Sequence, residues 1–270
     1  MSLIELIVSA TLGVLLSGAI LSLVLASQTL ARSQPESLDV QQRGRVALQV
    51  LASELRDCGA GIEFGEAAGP LVRTFPPIAP SPDGGITMWT TTSRNAQGRP
   101  ALAVALGVTS LALQDSSVCP TGQSACGFVS GTSAMAFTPS RCRTALRVAG
   151  VSGDTLQLAA PLAGCALDPD SAVAAGTVHT YRVDPVSRQL IRRDESSGYS
   201  APVLDGVTSM SVALFADPAG ASTVTGTSDA ALMGVRRVRV TLRFVASNPL
   251  LHVPDLDVVV DAAPRNLQGG

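Results

Sequence analysis

Few side chains in this sequence have the types and spacing that chemistry requires. The candidates are five cysteines, two histidines and two close pairs of aspartates, namely Cys58, Cys119, Cys126, Cys142 and Cys165, His179 and His252, Asp168 with Asp170, and Asp255 with Asp257. Paired carboxylates can form part of a calcium site. Neither pair has the further oxygen ligands of a dedicated site nearby, so each pair is better explained by a turn or by the solvated face of a strand. The cysteine spacing is too irregular for zinc, and no histidine lies near the last four cysteines. We expect no metal and no cofactor.

The histidines do not indicate an enzyme. His179 lies inside a predicted strand, and His252 lies beside Pro254 in a predicted loop. The sequence has no Gly-x-Ser-x-Gly elbow, no Walker-type phosphate loop and no His-x-x-x-His pair. We therefore expect no catalytic residues and no enzyme activity.

One cluster of positive charge needs a separate explanation. It consists of Arg236, Arg237, Arg239 and Arg243. These arginines would suit DNA or a partner surface, but acids are spread through the same region, which favours an ordinary wet face of a sheet. With a net charge of −2 there is no electrostatic case for nucleic-acid binding.

A long apolar segment at the start of the chain determines how the rest is interpreted. Residues 1–31 contain a single ionisable side chain, Glu5, and residues 6–26 are Leu, Ile, Val and Ala interrupted only by Ser, Thr and Gly. A helix of that length covers roughly 30 Å, the hydrocarbon thickness of a bilayer. A secretory signal would begin with basic residues and end at a cleavage site, whereas here an acid stands at the start. We expect a membrane span.

The start of the sequence, Met1-Ser2-Leu3-Ile4-Glu5-Leu6 before the apolar run, resembles the mature N-terminus of type IV pilins and type II secretion pseudopilins. The resemblance implies that prepilin peptidase removed a short basic leader, that Met1 is the processed and N-methylated residue, and that Glu5 pairs with the N-terminal amine of a neighbouring subunit. An ammonium and a carboxylate, each costly alone in lipid, lower each other's cost when paired. The simpler alternative is that Glu5 reaches the headgroup region.

A second helical segment is predicted over residues 35–58. Pro35 predicts a kink or a restart of the helix. An apolar stripe indicates an amphipathic helix that ends at Gly59, and it consists of Val40, Ala47, Leu48, Leu51, Leu55 and Cys58. Residues 42–59 resemble the end of the helix in PilW-type minor pilins and, less closely, in J-type pseudopilins.

The remainder predicts a β-rich head. Residues 59–100 are rich in Gly and Pro and are expected to form a connecting loop with a first strand at 86–92, and residues 101–270 are expected to form the globular head. Hairpins are predicted at 128–137, at 145–158 and at 179–193, and further strands at 207–215 and 235–244. In the last of these, apolar residues alternate with Arg and Thr, which indicates one buried and one wet face.

An exported head predicts disulfides, although sequence spacing does not determine their connectivity. We favour Cys119 with Cys126, and Cys142 with Cys165, and we expect Cys58 to pack at the end of the helix.

Together, the residues and the resemblance predict an α+β, type IV pilin-like fold, in which a long N-terminal helix (1–58, with 1–31 for membrane and assembly) carries a mainly antiparallel β head. The resemblance implies a minor pilin that initiates pilus assembly. Its expected partners are other minor pilins, the major pilin, the inner membrane and prepilin peptidase, in a hetero-oligomer. Its expected location is the inner membrane with a periplasmic head, and then the pilus tip. The alternatives are a J-type pseudopilin and a membrane-tethered adhesin or ligand-binding module.

Overall fold

The structure of the protein is a computed structural model that describes residues 2–59, 76–91, 96–114, 124–140, 142–251 and 253–264. It consists of one long N-terminal helix, α1 (Leu3–Asp57), followed by an antiparallel β domain, so the α+β class is confirmed. Pro35 lies inside α1, and the chain continues as one helix beyond it instead of restarting. A proline in a helix removes a single backbone hydrogen bond, and a helix of 55 residues retains many others.

The head contains thirteen strands and one short helix among the described residues. The strands are β1 (Ile78–Pro80), β2 (Ile86–Thr91), β3 (Gln97–Pro100), β4 (Ser110–Gln114), β5 (Ser133–Phe137), β6 (Arg143–Ser152), β7 (Thr155–Leu158), β8 (Ala172–Asp184), β9 (Gln189–Asp194), β10 (Ser200–Asp205), β11 (Val207–Phe215), β12 (Arg237–Phe244) and β13 (Leu256–Ala262). The helix is α2 (Asp229–Met233). Every pairing between these strands is antiparallel.

Strand β8 belongs to two sheet systems at once. Its second half pairs with β2 on one side and with β9 on the other, and β1 and β10 complete a five-stranded sheet. Its first half pairs with β3 and β5, and the ladder continues through β4, β7 and β6 until it closes on itself. The result is a small six-stranded barrel with its own apolar core. In the order of the chain, the barrel is inserted between β2 and the second half of β8.

A third sheet, β11-β12-β13, packs on the head-bound part of α1. The alternation predicted for β12 is confirmed, because Val238, Val240, Leu242 and Phe244 are completely buried. They share one core with the helix residues Val40, Ala47, Leu51, Leu55 and Cys58. The predicted stripe is therefore the buried face of the helix, except for Leu48, which is 37% exposed.

The closest contact between α1 and this sheet is made where the helix has no side chain. A Cβ atom placed on Gly44 would lie 2.9 Å from Cγ2 of Val258 and 3.1 Å from Cδ2 of Leu256. Glycine therefore lets β13 approach the helix backbone more closely than any other residue would.

Several sequence-based predictions of local structure are wrong. The range 59–100 was expected to be a loop with one strand, yet its described part contains β1, β2 and β3, so the head begins before residue 101. Proline argued against strands here, but Pro80 ends an edge strand, a position where a missing backbone donor costs little. Residues 128–129 precede a turn at 130–131 but belong to no strand, so they are not the first arm of a hairpin; β5 pairs instead with β6 and β8. The hairpins at 145–158 and 179–193 and the strand at 207–215 are confirmed.

Candidate functional site

The exposed part of α1 is the most unusual surface of the protein. Every side chain from residue 6 to residue 32 is exposed, although most of them are apolar; Leu23, for example, is 74% exposed. By length and composition, α1 is the one helix of the described chain that could cross a membrane, with a mean hydropathy of 2.2 in its most apolar window. We call residues 3–35 the stem. At 1.5 Å per residue the stem extends roughly 50 Å.

Several hydroxyl groups within the stem are bonded to the helix itself. Ser9 donates to the carbonyl oxygen of Leu6 at 3.0 Å, and Ser22 donates to that of Ala19 at 2.8 Å. Thr11 donates to two carbonyl oxygens of the preceding turn. These side chains therefore need neither water nor protein partners, which lowers the cost of placing them in lipid.

Of the two residues predicted to act in assembly, the structure describes only the backbone of Glu5. The backbone of Glu5 is in the first turn of α1, far from the head. Met1 lies outside the described residues. The expected pairing between Glu5 and a neighbouring amine stays a prediction.

A polar collar surrounds α1 where it enters the head. Arg43 forms an ion pair with Asp39 at 2.6 Å, one turn earlier, and donates to the backbone oxygen of Asp205 at 3.3 Å. It also donates to the Ser247 hydroxyl at 3.4 Å, while the Ser247 backbone N–H donates to the carboxylate of Glu36. The end of β10 and the loop after β12 are thus attached to the helix at the point where its exposed portion begins.

A second polar cluster lies deeper in the head. Glu54 on α1 contacts Nδ1 of His179 at 3.3 Å and the guanidinium of Arg192 at 3.5 Å. Burial alone would raise the pKa of Glu54, but the hydrogen bond to His179 and the nearby charge of Arg192 lower it below its usual value. The Tyr181 hydroxyl is buried close to this carboxylate, and its burial raises the pKa of Tyr181. His179 therefore helps to attach the helix to the sheet.

The aspartate pairs have the structural roles that the sequence favoured. Asp168 caps a turn, because its carboxylate accepts a hydrogen bond from Ser171 at 2.7 Å. Asp257 pairs with Arg243 at 2.9 Å, and that interaction lowers the pKa of Asp257. No group of three or more potential metal ligands occurs within the described ranges.

The arginine stripe of β12 is largely neutralised by the neighbouring strand. Arg237 and Arg239 both form ion pairs with Asp261, at 2.7 and 3.0 Å, and together they lower the pKa of Asp261. With Arg243 bonded to Asp257, three of the four candidate arginines are paired across the sheet. This face of the sheet is partly exposed and carries a row of salt bridges.

The cysteines follow the favoured pattern as far as they are described. Cys142 and Cys165 form a disulfide, with their Cα atoms 5.9 Å apart. Cys126 is also disulfide-bonded, and its predicted partner, Cys119, lies outside the described residues. Cys58 is free and buried at the end of α1, where its thiol donates to the Pro77 carbonyl oxygen at 2.7 Å. His252 also lies outside the described residues.

Sequence reasoning missed both polar attachments of the helix to the head. The spacing of Glu36, Asp39 and Arg43 places them on one side of a helix, which was a usable signal. Their partners, and those of Glu54, lie more than 120 positions away, so no local pattern indicates them.

No family model matches this chain, and no curated protein and no solved structure is significantly similar to it. Its function must therefore be argued from its own residues.

Proposed function

We propose that this chain is a PilW-like minor pilin of a type IV pilus, which joins other minor pilins in a complex that initiates pilus assembly and remains at the tip. The observation that carries the proposal is the division of α1. A single helix has one exposed apolar half and one half buried in a β head, so the same element serves as a membrane anchor and as a support for the head.

The exposed half of α1 suits a helix that lies first in a membrane and later in a filament. In the membrane its apolar side chains face lipid, and in a filament the same side chains would face the helices of neighbouring subunits. Moving from one to the other would need no refolding, because the backbone groups of the helix are bonded internally and several stem hydroxyls, such as those of Ser9 and Ser22, donate to its carbonyl oxygens. An acid in the first turn would then be the group that recognises a neighbour, since a carboxylate in an apolar environment requires a partner.

The attachment of the head to α1 suits a subunit whose head must keep one orientation relative to its helix. The collar at Arg43 and the cluster at Glu54 hold the helix at two points about three turns apart, which fixes the rotation of the head about the helix axis. The inserted barrel makes this head bulkier than a sheet packed on a helix, and a bulky head suits a subunit that caps a filament more than one repeated along it.

Processing, partners and location follow from the same proposal. Prepilin peptidase would expose and methylate the amine of Met1, the head would lie in the periplasm, and the assembled protein would contact other minor pilins and the major pilin through α1. The second candidate is a J-type pseudopilin of a type II secretion system, which the same helix and head would suit.

Deletion of the gene, with surface filaments counted and protein secretion assayed in the same cells, tests the proposal. We expect sparse or absent pili with normal secretion. Normal pili with blocked secretion would overturn it in favour of the pseudopilin. Complementation with Glu5→Ala should restore a folded head but not filament number, whereas Asp170→Ala, which removes an exposed carboxylate from the head, is the matched control and should restore filaments.

A further inference from the structure

An open groove lies on the face of the five-stranded sheet that is turned away from α1. Its volume is about 550 Å³, within the range of small-molecule sites. Its floor consists of side chains that alternate with those facing the helix, such as Thr87 and Trp89 on β2 and Thr180 and Arg182 on β8. One wall belongs to the inserted barrel, so the groove exists only because the barrel adjoins the sheet.

The barrel wall of the groove is held by a covalent bond. Arg143 and Thr144 on one side and Ala163 and Gly164 on the other line the groove, and the Cys142–Cys165 disulfide joins these two segments directly beside them. The Thr144 hydroxyl also donates to the carbonyl oxygen of Ala163 at 2.8 Å. A wall fixed in this way loses little conformational entropy when a ligand binds.

The backbone of the groove floor is not available to bind a ligand. Strands β2, β8 and β9 are each paired on both sides, so their backbone groups are engaged in the sheet. An extended peptide binds a sheet by pairing with a free edge, and the groove offers none along its floor. A ligand must therefore be recognised by side chains.

The side chains combine hydroxyl groups with one cation that has no salt bridge among the described residues. Thr87 and Thr180 lie with their hydroxyl oxygens 2.9 Å apart, and each keeps further hydrogen-bonding capacity. Two of the three lining arginines already have partners, since Arg143 pairs with Asp229 at 2.9 Å and Arg193 with Glu195 at 3.4 Å. Arg182 forms no salt bridge within the described part of the chain.

We infer that this groove binds a carboxylated saccharide, with the carboxylate on Arg182 and the sugar hydroxyls on the threonines. A guanidinium binds a carboxylate through two parallel hydrogen bonds, and threonine hydroxyls both donate to and accept from sugar hydroxyls. A ligand with a single negative charge fits best, because Asp83 and Glu195 also line the groove and would repel a second one. The inference is independent of pilus assembly.

The test is calorimetric titration of the whole chain in detergent micelles with galacturonic acid, which carries one carboxylate, and with galactose as the neutral comparison. We expect galacturonic acid to bind and galactose to bind at least tenfold more weakly. Arg182→Gln should weaken binding of galacturonic acid about tenfold, which corresponds to about 1.4 kcal/mol. Arg45→Gln, on the exposed side of α1, is the matched control and should change nothing.

A second variant acts in the opposite direction. Glu195→Gln removes a repelling charge and releases Arg193, so it should tighten binding of galacturonic acid. Absence of binding to the wild-type protein, equal affinity for galacturonic acid and galactose, or an unchanged affinity in Arg182→Gln would each overturn the inference. If Arg182→Gln fails to fold, the affinity of Glu195→Gln for the acidic sugar tests the inference in its place. An unchanged or weaker affinity in that variant contradicts the saccharide site.

Discussion

Oε2 of Glu54 lies 3.3 Å from Nδ1 of His179, although the two residues are 125 positions apart in the chain. This contact joins the helix to the central strand of the head. Arg192 approaches the other carboxylate oxygen at 3.5 Å, so one acid on α1 is bonded to two strands. Removing such an acid leaves partly buried donors without a partner, which costs more than the net value of the pair itself.

Glu54→Gln should therefore lower the free energy of unfolding by about 1 to 3 kcal/mol at pH 7. Because the folded protein holds the pKa of Glu54 below its ordinary value of 4.5, the stabilisation is fully present above that pH and is lost as the pH falls through the folded pKa. The difference in the free energy of unfolding between wild type and Glu54→Gln should then become smaller in acid. Chemical denaturation from pH 7 to pH 3 measures this difference, and Asp83→Asn, at an exposed position, is the control. A difference that grows in acid would contradict this account.

Gly44→Val should destabilise the head by about 1 to 3 kcal/mol, since its side chain would overlap Val258. Gly13→Val is the matched control, because a Cβ at Gly13 meets nothing within 4 Å. Both changes put the same residue into the same helix, so the difference between their unfolding midpoints isolates the contact with β13. Equal midpoints would show that the sheet can move away from the helix.

Leu51→Ala should lower the free energy of unfolding by about 2 to 5 kcal/mol, because Leu51 is completely buried and its loss leaves a cavity. Leu48 is only three residues away and remains 37% exposed, so Leu48→Ala should cost less than about 1 kcal/mol. Thermal unfolding followed by circular dichroism provides both values. If the two losses were similar, the buried face of the helix would be assigned incorrectly.

Cys58 should resist alkylation while the protein is folded. Its burial raises the pKa of the thiol to about 12, so almost none of the reactive thiolate is present at pH 8. Iodoacetamide should modify the peptide containing Cys58 only after denaturation, as measured by mass spectrometry. Modification of the native protein within minutes would show that the end of α1 opens readily.

The sequence predicted the elements whose patterns are local. The apolar run, the helical stripe and the alternation in β12 each depend on residues a few positions apart, and the structure places their side chains accordingly. The strand β13 was not among the predicted strands; its Asp257 and Asp261 face the arginines of β12. The barrel was missed because its closure depends on which distant strands pair, and that information is not present in any short segment.

Strand β8 has a mechanical consequence. Because it is continuous through the barrel and the five-stranded sheet, a tensile load applied to the barrel along the direction of this strand passes directly to the strand that Glu54 contacts. Hydrogen bonds on both sides of β8 would then be loaded in shear and would have to break together, whereas a barrel joined by a flexible tether would peel away one bond at a time. The head is built to resist pulling as a single body.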